Sequence, residues 1–313
     1  MRDVYGVVDI GTLKVKTEIA SVAKSGVLKS IYSSNVLTCF GVGLDEYDGF
    51  AQEKYIRQTI NELRRIRHEL ERHDAKKFRV VSTHAMRRAK NRDDILARIR
   101  KEAGFEVESI SQEDEAELFF KAVMRTFLSN DREYVVIDVG GGSVQVLVGT
   151  KKELRRTHMM KTGTVRLHEK FVRNPHDPDS FTTPENIDQM KEEILRELIP
   201  LDPGERTPLV YGSSMVIDIM RQIKIQLDPH EDSAAHPYKT YAEHLTEFIW
   251  RIQPLSFRAR EEQYPLPHHY SWGLEKAFLN AVTIAAHFES PYIVPSNANI
   301  AQGIIFAMAE AAE

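Results

Sequence analysis

Cysteine is nearly absent. Cys39 is the only one in 313 residues, so no intrachain disulfide can form, which fits a reducing cytoplasm. Cys39 itself reads as a small buried hydrophobe. No apolar run approaches the roughly 20 residues that span a bilayer. The stretch leading into Val4–Ile10 lacks the apolar core of a signal peptide, so we expect a cytoplasmic protein with no membrane partner. A basic excess is missing too. The 42 Lys and Arg against 46 Asp and Glu leave a net charge of −4, which argues against nucleic acid as a partner. A local basic cleft on an acidic protein can still take an anionic small substrate. The glycines follow no Gly-x-Gly-x-x-Gly pattern opening a helix, so a Rossmann nucleotide site is not expected.

Val4 to Ile10 is an apolar run. After a turn, Val15, Thr17 and Ile19 alternate with Lys16 and Glu18, which predicts two strands joined as a hairpin with Asp9-Ile10-Gly11-Thr12 at its tip. Ile56, Ile60, Leu63, Ile66 and Leu70 then mark one face of a helix over Gln52–His73, with Arg64, Arg65 and Arg72 on the solvated face. A strand over Phe78–Ser82 follows, then a helix from about Asp93 to Ala103 with Gly104 at its C′ position. Val107–Ile110 reads as a strand and Gln112–Leu128 as a helix. The pattern then restarts. A strand over Tyr134–Ile137 runs into Asp138-Val139-Gly140-Gly141-Gly142-Ser143, and Val144, Val146 and Val148 form a second hairpin arm. Asp9 and Asp138 stand 129 residues apart. That spacing is too long for a solenoid repeat and predicts two homologous α/β domains, 1–128 and 129–313.

The second half is more helical, with helices near Thr164–Val172, Pro184–Glu197, Ser213–Gln226, Thr240–Ile252 and Trp272–Phe288. Strands at Pro208–Tyr211 and Pro291–Val294 complete its sheet. The last helix, about Asn299 to Ala312, is placed in the second domain, with the option of packing back on the first. Arg173–Ser180 and Leu227–Pro237 read as loops, the latter at the surface.

The paired Asp-x-Gly tips carry the strongest chemical signal. Gly11, and Gly140 to Gly142, let the backbone turn sharply and aim consecutive N–H groups at one anion. A hydroxyl at the tip, Thr12 or Ser143, can donate once more. Asp9 and Asp138 at the strand ends can bind Mg²⁺ or Mn²⁺ directly or through water. One such turn alone is as readily structural, but two in corresponding positions point to phosphate. Arg87 follows a strand directly and can reach a cleft with a fork suited to phosphate, although alone it reads equally as a solvated surface residue. Among Glu113, Asp114 and Glu115, a carboxylate at a helix start can orient an attacking water, or the three acids simply complement the helix dipole.

In this order, Thr83-His84-Ala85-Met86-Arg87, Ile110-Ser111 through Ala116, Val136 through Ser143 and Lys161-Thr162-Gly163-Thr164-Val165-Arg166-Leu167-His168-Glu169-Lys170-Phe171 resemble the exopolyphosphatase/guanosine-pentaphosphate phosphatase (Ppx/GppA) family. The resemblance runs from Val4 to about Met220. It implies two actin-like, ribonuclease H-like lobes with a cleft between them, Mg²⁺-dependent hydrolysis of polyphosphate or guanosine pentaphosphate, and a homodimer. It implies that Glu115 activates water, that Asp138 serves the metal, and that Arg87 contacts phosphate. Gly11-Thr12, Gly140 to Ser143 and Gly212-Ser213-Ser214 would cradle phosphate between the lobes.

This chain departs from the family pattern in four places, one of them the Gly212 turn, which has Ser213 and Ser214 where a further glycine is common. Where the family's first hairpin reads Asp-x-Gly-Ser-Asn-Ser-x-Arg, it has Asp9-Ile10-Gly11-Thr12-Leu13-Lys14-Val15-Lys16, which puts Lys14 among the phosphate-binding candidates. Where the family has Ser-Thr-Glu, it has Ser143-Val144-Gln145, so Gln145 offers a metal an oxygen without a charge. The family's Arg-Ala-Asp stretch corresponds to Ser256 through Glu261. These departures motivate an alternative, a weakly active relative that binds phosphate chains as a sensor or scaffold. A kinase of the same superfamily is a further, less favoured possibility.

Overall fold

The computed structural model describes residues 3–23, 27–202, 206–213, 215–264, 266 and 270–312. In chain order its elements are β1 (Val4–Ile10), β2 (Lys14–Val22), β3 (Leu28–Leu37), α1 (Glu53–Arg72), β4 (Lys77–Ser82), α2 (His84–Arg88), α3 (Arg92–Ala103), β5 (Glu108–Ser109), α4 (Gln112–Met124), β6 (Tyr134–Val139), β7 (Val144–Gly149), β8 (Leu154–Met160), α5 (Thr164–Phe171), α6 (Pro184–Leu198), β9 (Leu209–Gly212), α7 (Val216–Gln222), β10 (Asp228–Pro229), β11 (Tyr238–Lys239), α8 (Ala242–Ile252), α9 (Phe257–Gln263), α10 (Tyr270–His287), β12 (Ile293–Ser296) and α11 (Ile300–Glu310). They form two compact units, Met1–Ala122 together with Asn299–Glu313, and Val123–Ala298.

The first unit is built on a five-stranded sheet of order β3-β2-β1-β4-β5. β1 and β2 pair as the expected hairpin, and β1 and β4 run parallel. Parallel neighbours need a crossover, which α1 supplies. Its stripe of Ile56, Ile60, Leu63, Ile66 and Leu70 packs with Val8, Ile10, Val15 and Ile19 on one face of the sheet. On the other face Tyr5, Val7, Ala20 and Val81 pack with Ile300, Ala301, Ile304 and Ile305 of α11. Gly303 lets α11 lie close against α4, because a methyl there would collide with the Leu118 carbonyl. Gly104 takes the left-handed φ of 70° that ends α3. β3 was not foreseen. It is an edge strand whose Ser30, Ser33, Ser34 and Asn35 give it no apolar period, and it is held by its ladder to β2.

The second unit repeats the plan, with order β12-β9-β6-β7-β8. β6/β7/β8 correspond to β1/β2/β3, and the parallel strands β9 and β12 to β4 and β5. β8 is again an unforeseen edge, its Arg155 and Arg156 hiding the strand period. Helices α5, α6, α8 and α10 cover one face. A capping box between Thr183 and Asn186 starts α6. Two expectations are corrected. The helix read as continuing to Leu128 stops at Met124, and Leu128 instead donates to the Asp232 carbonyl at 2.8 Å. Leu227–Pro237 is not a surface loop, since His230, Ser233 and His236 are buried in it. His236 Nε2 bonds the Val123 carbonyl at 2.9 Å and its ring lies against Phe127. The polar, turn-rich composition is offset there by internal hydrogen bonds.

Candidate active site

In the first unit the β1–β2 turn is closed by the Gly11 amide, which donates to the Lys14 carbonyl at 2.9 Å. The turn is tied down from outside. Thr38 and Cys39 donate to the Leu13 carbonyl, and Gly41 donates to the Thr12 carbonyl at 2.7 Å. Gly41 has to be glycine, because a methyl would sit 2.6 Å from Thr12 Cγ2 and 2.8 Å from Ala85 Cβ. Cys39 is a buried structural residue, its thiol pushed up by burial to about 11. Lys14 lies at the end of the turn. Burial, reinforced by the Lys16 ammonium, pushes its amine well below the ordinary lysine range.

Beside this turn, Ile10 of β1 pairs with Ser82 of β4, and α2 starts just after. Arg87, on α2, donates through Nη1 to the Ile110 carbonyl at 2.8 Å and to Glu115 Oε2 at 3.0 Å, and through Nη2 to the same oxygen at 3.0 Å. The two side chains are only 23% and 13% exposed, so neither is an ordinary surface charge. Arg87 has five N–H donors. The Nε–H and one Nη2–H have no partner among the described residues. The acids at the start of α4 divide their work. Ser111 caps the helix through the Asp114 amide and bonds the Asp114 carboxylate at 2.7 Å. Glu113 is exposed. Glu115 alone of the three pairs with Arg87. Sequence reasoning nominated both residues without seeing that they touch, since 28 positions separate them.

In the second unit the corresponding turn is Gly140 to Ser143, closed by the Gly140 amide donating to the Ser143 carbonyl at 3.0 Å. The carbonyls of Gly140 and Gly141 point backwards and accept from Thr164 at 3.0 Å and Val165 at 2.9 Å, at the start of α5. The amides of Gly141, Gly142 and Ser143 donate to nothing among the described residues, which leaves three consecutive N–H groups for an anion. Gly163 presses directly on this turn. Its Cβ would lie 2.5 Å from the Gly141 oxygen and closer still to Gly142 and Ser143. Asp138 pairs with Gln145 across the hairpin and with Gly212 on β9. Asp138, Gln145, the glycine turn and the Gly212-Ser213 end of β9 are thus gathered in one place. Ser214 lies outside the described residues.

The equal spacing of the repeat sharpens the comparison. Gly11 corresponds to Gly140, Thr12 to Gly141, Lys14 to Ser143 and Lys16 to Gln145. The two tip hydroxyls are therefore not equivalents, and Ser143 has a lysine as its counterpart. Asp9 stands opposite Lys16 in the hairpin register, whereas Asp138 stands opposite an amide. Gln145 is buried, and its Oε1 has no hydrogen-bond partner among the described residues. Two oxygen donors of this kind suit a hard cation such as Mg²⁺, which favours Asp138 and Gln145 over Asp9. Among the described residues no three His, Cys, Asp or Glu side chains gather as a full metal cage. Mg²⁺ characteristically keeps waters and phosphate oxygens in its shell, so it needs no such cage.

Sequence reading missed a buried cluster behind this turn. Arg260, in the Ser256–Glu261 stretch, is fully buried and pairs with Glu275 at 2.7 Å, while Arg258 makes a surface pair with Asp179. Lys276 Nζ lies 2.6 Å from the same Glu275 oxygen. Burial would raise the Glu275 carboxyl, but the two cations hold it at about 2. Burial lowers the Lys276 ammonium to about 8, with Glu275 opposing the shift and Arg260 adding to it.

Two sheets of one topology, each with an acid-bearing hairpin at its centre, define a two-lobed protein of the actin-like class. The sequence profile of the Ppx/GppA phosphatase family matches residues 19–255, and the chain belongs to that family. It is 25% identical over 267 residues to exopolyphosphatase 2 of Mycobacterium tuberculosis, covering 83% of this chain and 82% of the relative. It is 30% identical over 114 residues to the guanosine-5'-triphosphate,3'-diphosphate pyrophosphatase of Photobacterium profundum, covering 36% of this chain and 22% of that one. The crystal structure of an exopolyphosphatase from Cytophaga hutchinsonii superposes with a TM-score of 0.85 at 20% identity, covering 99% of this chain and 98% of the other.

Proposed function

We propose that this chain is a phosphoanhydride hydrolase that releases the terminal phosphate of inorganic polyphosphate or of a guanosine pentaphosphate. The Arg87–Glu115 pair carries the reading. It joins, within one lobe, a carboxylate able to orient water and a guanidinium with two N–H donors left for phosphoryl oxygens. Membership in a phosphatase family, with relatives named for both substrates, supports the reaction class. The three unengaged amides at Gly141–Ser143 support an anionic ligand.

In the reaction, a water held by Glu115 forms the new P–O bond in line as the bridging P–O bond breaks. The water proton passes to the Glu115 carboxylate, and the shortened chain leaves with the bridging oxygen. Arg87, the glycine-turn amides, Thr12, Lys14, Ser143 and the Gly212-Ser213 turn bind phosphate oxygens, so positioning and electrostatics do most of the work. Mg²⁺ or Mn²⁺ belongs to the reading. Asp138 and Gln145 of the second unit would hold it, Asp9 is the candidate carboxylate of the first unit, and the ion would neutralise charge on the phosphate oxygens. A cytoplasmic site of action, which a single cysteine supports, and a homodimer, which the family resemblance supports, complete the proposal.

A second reading, binding without turnover, is favoured by one observation. Gln145 opposite Asp138 and Lys16 opposite Asp9 leave neither aspartate with an acid as its cross-strand partner to help hold a divalent cation. Phosphate release from short polyphosphate, long polyphosphate and guanosine pentaphosphate, with Mg²⁺ or Mn²⁺, decides between them. Glu115→Gln is expected to lower release by about 10² to 10⁴. Equal release from the variant would sink the hydrolase mechanism, and tight binding with no release in either metal would establish the second reading.

A further inference from the structure

The Gly140–Ser143 turn cannot hold its own shape. Three of its four residues are glycines, with no side chains to lock them and the largest backbone entropy to lose. Whatever fixes it must come from outside. Thr164 and Val165 hold its carbonyls, and Gly163 fills the space against it. That brace is itself held from behind by α10.

Asn280, on α10, is fully buried and so is Thr162. Thr162 Oγ1 donates to Asn280 Oδ1 at 2.8 Å, and Asn280 Nδ2 donates to the Thr162 carbonyl at 2.9 Å. Nδ2 also donates to the Lys276 carbonyl at 2.9 Å, one turn back on α10. One carboxamide thus grips both the side chain and the backbone of the residue before Gly163. Gly273, at the start of the same helix, closes on Thr164, and a methyl there would meet its Cβ at 3.2 Å. Residues 162–165 form a strip with α10 on one side and the turn on the other. Shortening Asn280 would orphan a buried hydroxyl and a buried carbonyl together, which the strip can relieve only by moving.

We propose that Asn280 is a positioning residue for the anion site: by fixing Thr162 it holds Gly163–Val165 against the glycine turn and keeps the amides of Gly141, Gly142 and Ser143 aimed at one phosphate. The inference rests on the functional reading above. Asn280 touches no substrate and acts only through the strip.

The test compares wild type, Asn280→Ala, Thr162→Val and Thr162→Ser as full-length protein. Inorganic tripolyphosphate is titrated by calorimetry, and hydrogen exchange is followed by mass spectrometry. In wild type, tripolyphosphate should slow exchange of peptides spanning Gly140–Ser143. Asn280→Ala and Thr162→Val should each speed exchange at Thr164 and Val165 and weaken tripolyphosphate binding roughly tenfold, with the double variant no worse than either. Thr162→Ser, which keeps the hydroxyl, should restore both. Thr182→Val serves as control. It cuts the Thr182 bond to Glu275 elsewhere on α10 and should lower thermal stability without moving either readout. A wild-type turn that ignores tripolyphosphate removes the functional reading and this inference with it. A turn that responds, with unchanged exchange and binding in Asn280→Ala and Thr162→Val, overturns the inference alone.

Discussion

Replacing Gly163 with alanine is the most discriminating small change this chain offers. The added Cβ would stand 2.5 Å from the Gly141 oxygen and nearer to Gly142 and Ser143, all of them backbone atoms. Non-bonded heavy atoms settle at about 3.5 Å, so the turn and the start of α5 must part by roughly 1 Å. The collision partners have no rotamer with which to yield. The bonds from Thr164 and Val165 to the turn, 3.0 and 2.9 Å long, would stretch beyond useful range. A misplacement of about 1 Å in a group that positions a reacting phosphate costs on the order of 10²-fold in rate. We expect Gly163→Ala to lose about that much in kcat/KM for polyphosphate while the protein still unfolds cooperatively. Gly140→Ala and Gly273→Ala, whose new methyls meet their nearest atoms at 3.1 and 3.2 Å, should lose far less. Steady-state phosphate release and thermal denaturation on the three variants give the comparison. If Gly163→Ala kept activity within about threefold of wild type, the turn would not be the phosphate site, or its shape would not matter to the reaction.

Two further predictions concern the cluster behind the turn. His168 is buried between Trp272, which it stacks on, and Phe257. Burial, with Lys276 adding to it, lowers its pKa from 6.5 to about 3, against the opposing effects of the Pro175 carbonyl and Glu275. The unfolded chain therefore binds a proton that the folded chain refuses between those values. Stability should be full above about pH 6.5 and fall as pH drops toward 3, by roughly 2 kcal/mol at pH 5. Urea unfolding from pH 7 to pH 5 should show this loss, and His168→Phe should largely abolish it. Glu275→Gln leaves two buried cations facing a neutral amide, so a loss of about 3–5 kcal/mol in urea unfolding is expected. A loss under about 1 kcal/mol would mean that Lys276 sheds its proton at little cost.

The repeat was legible because its signal is local. Asp9 and Asp138 each end an apolar strand and open a turn, and the shared strand order of the two sheets follows from that pattern. The helices with clear apolar periods, α1 above all, were legible for the same reason. β3 and β8 were not, because edge strands that bury little need no alternation. The functional pairing of Arg87 with Glu115 lies in no spacing. It arises because β4 lies beside β1 and β5 beside β4, which brings the ends of two separate segments together. Ser143 and Lys14 could have been matched beforehand, since they stand as far apart as Asp9 and Asp138. Similarity of hydroxyls drew the comparison to Thr12 instead. His230 and His236 look like loop residues because composition cannot report that their hydrogen bonds are made internally.

Helix α11 has a consequence for how the protein is made. The apolar face formed by Tyr5, Val7, Ala20 and Val81 is covered by Ile300, Ala301, Ile304 and Ile305, and the whole of Val123–Ala298 is synthesised in between. At about 5–20 residues per second that interval lasts roughly 10 to 35 s. Throughout it the first lobe waits on the ribosome with this side of its sheet lacking the cover of α11, while the second lobe, contiguous in sequence, can finish folding. A ribosome-bound chaperone should therefore find its site on the lobe translated first, which is the last to close.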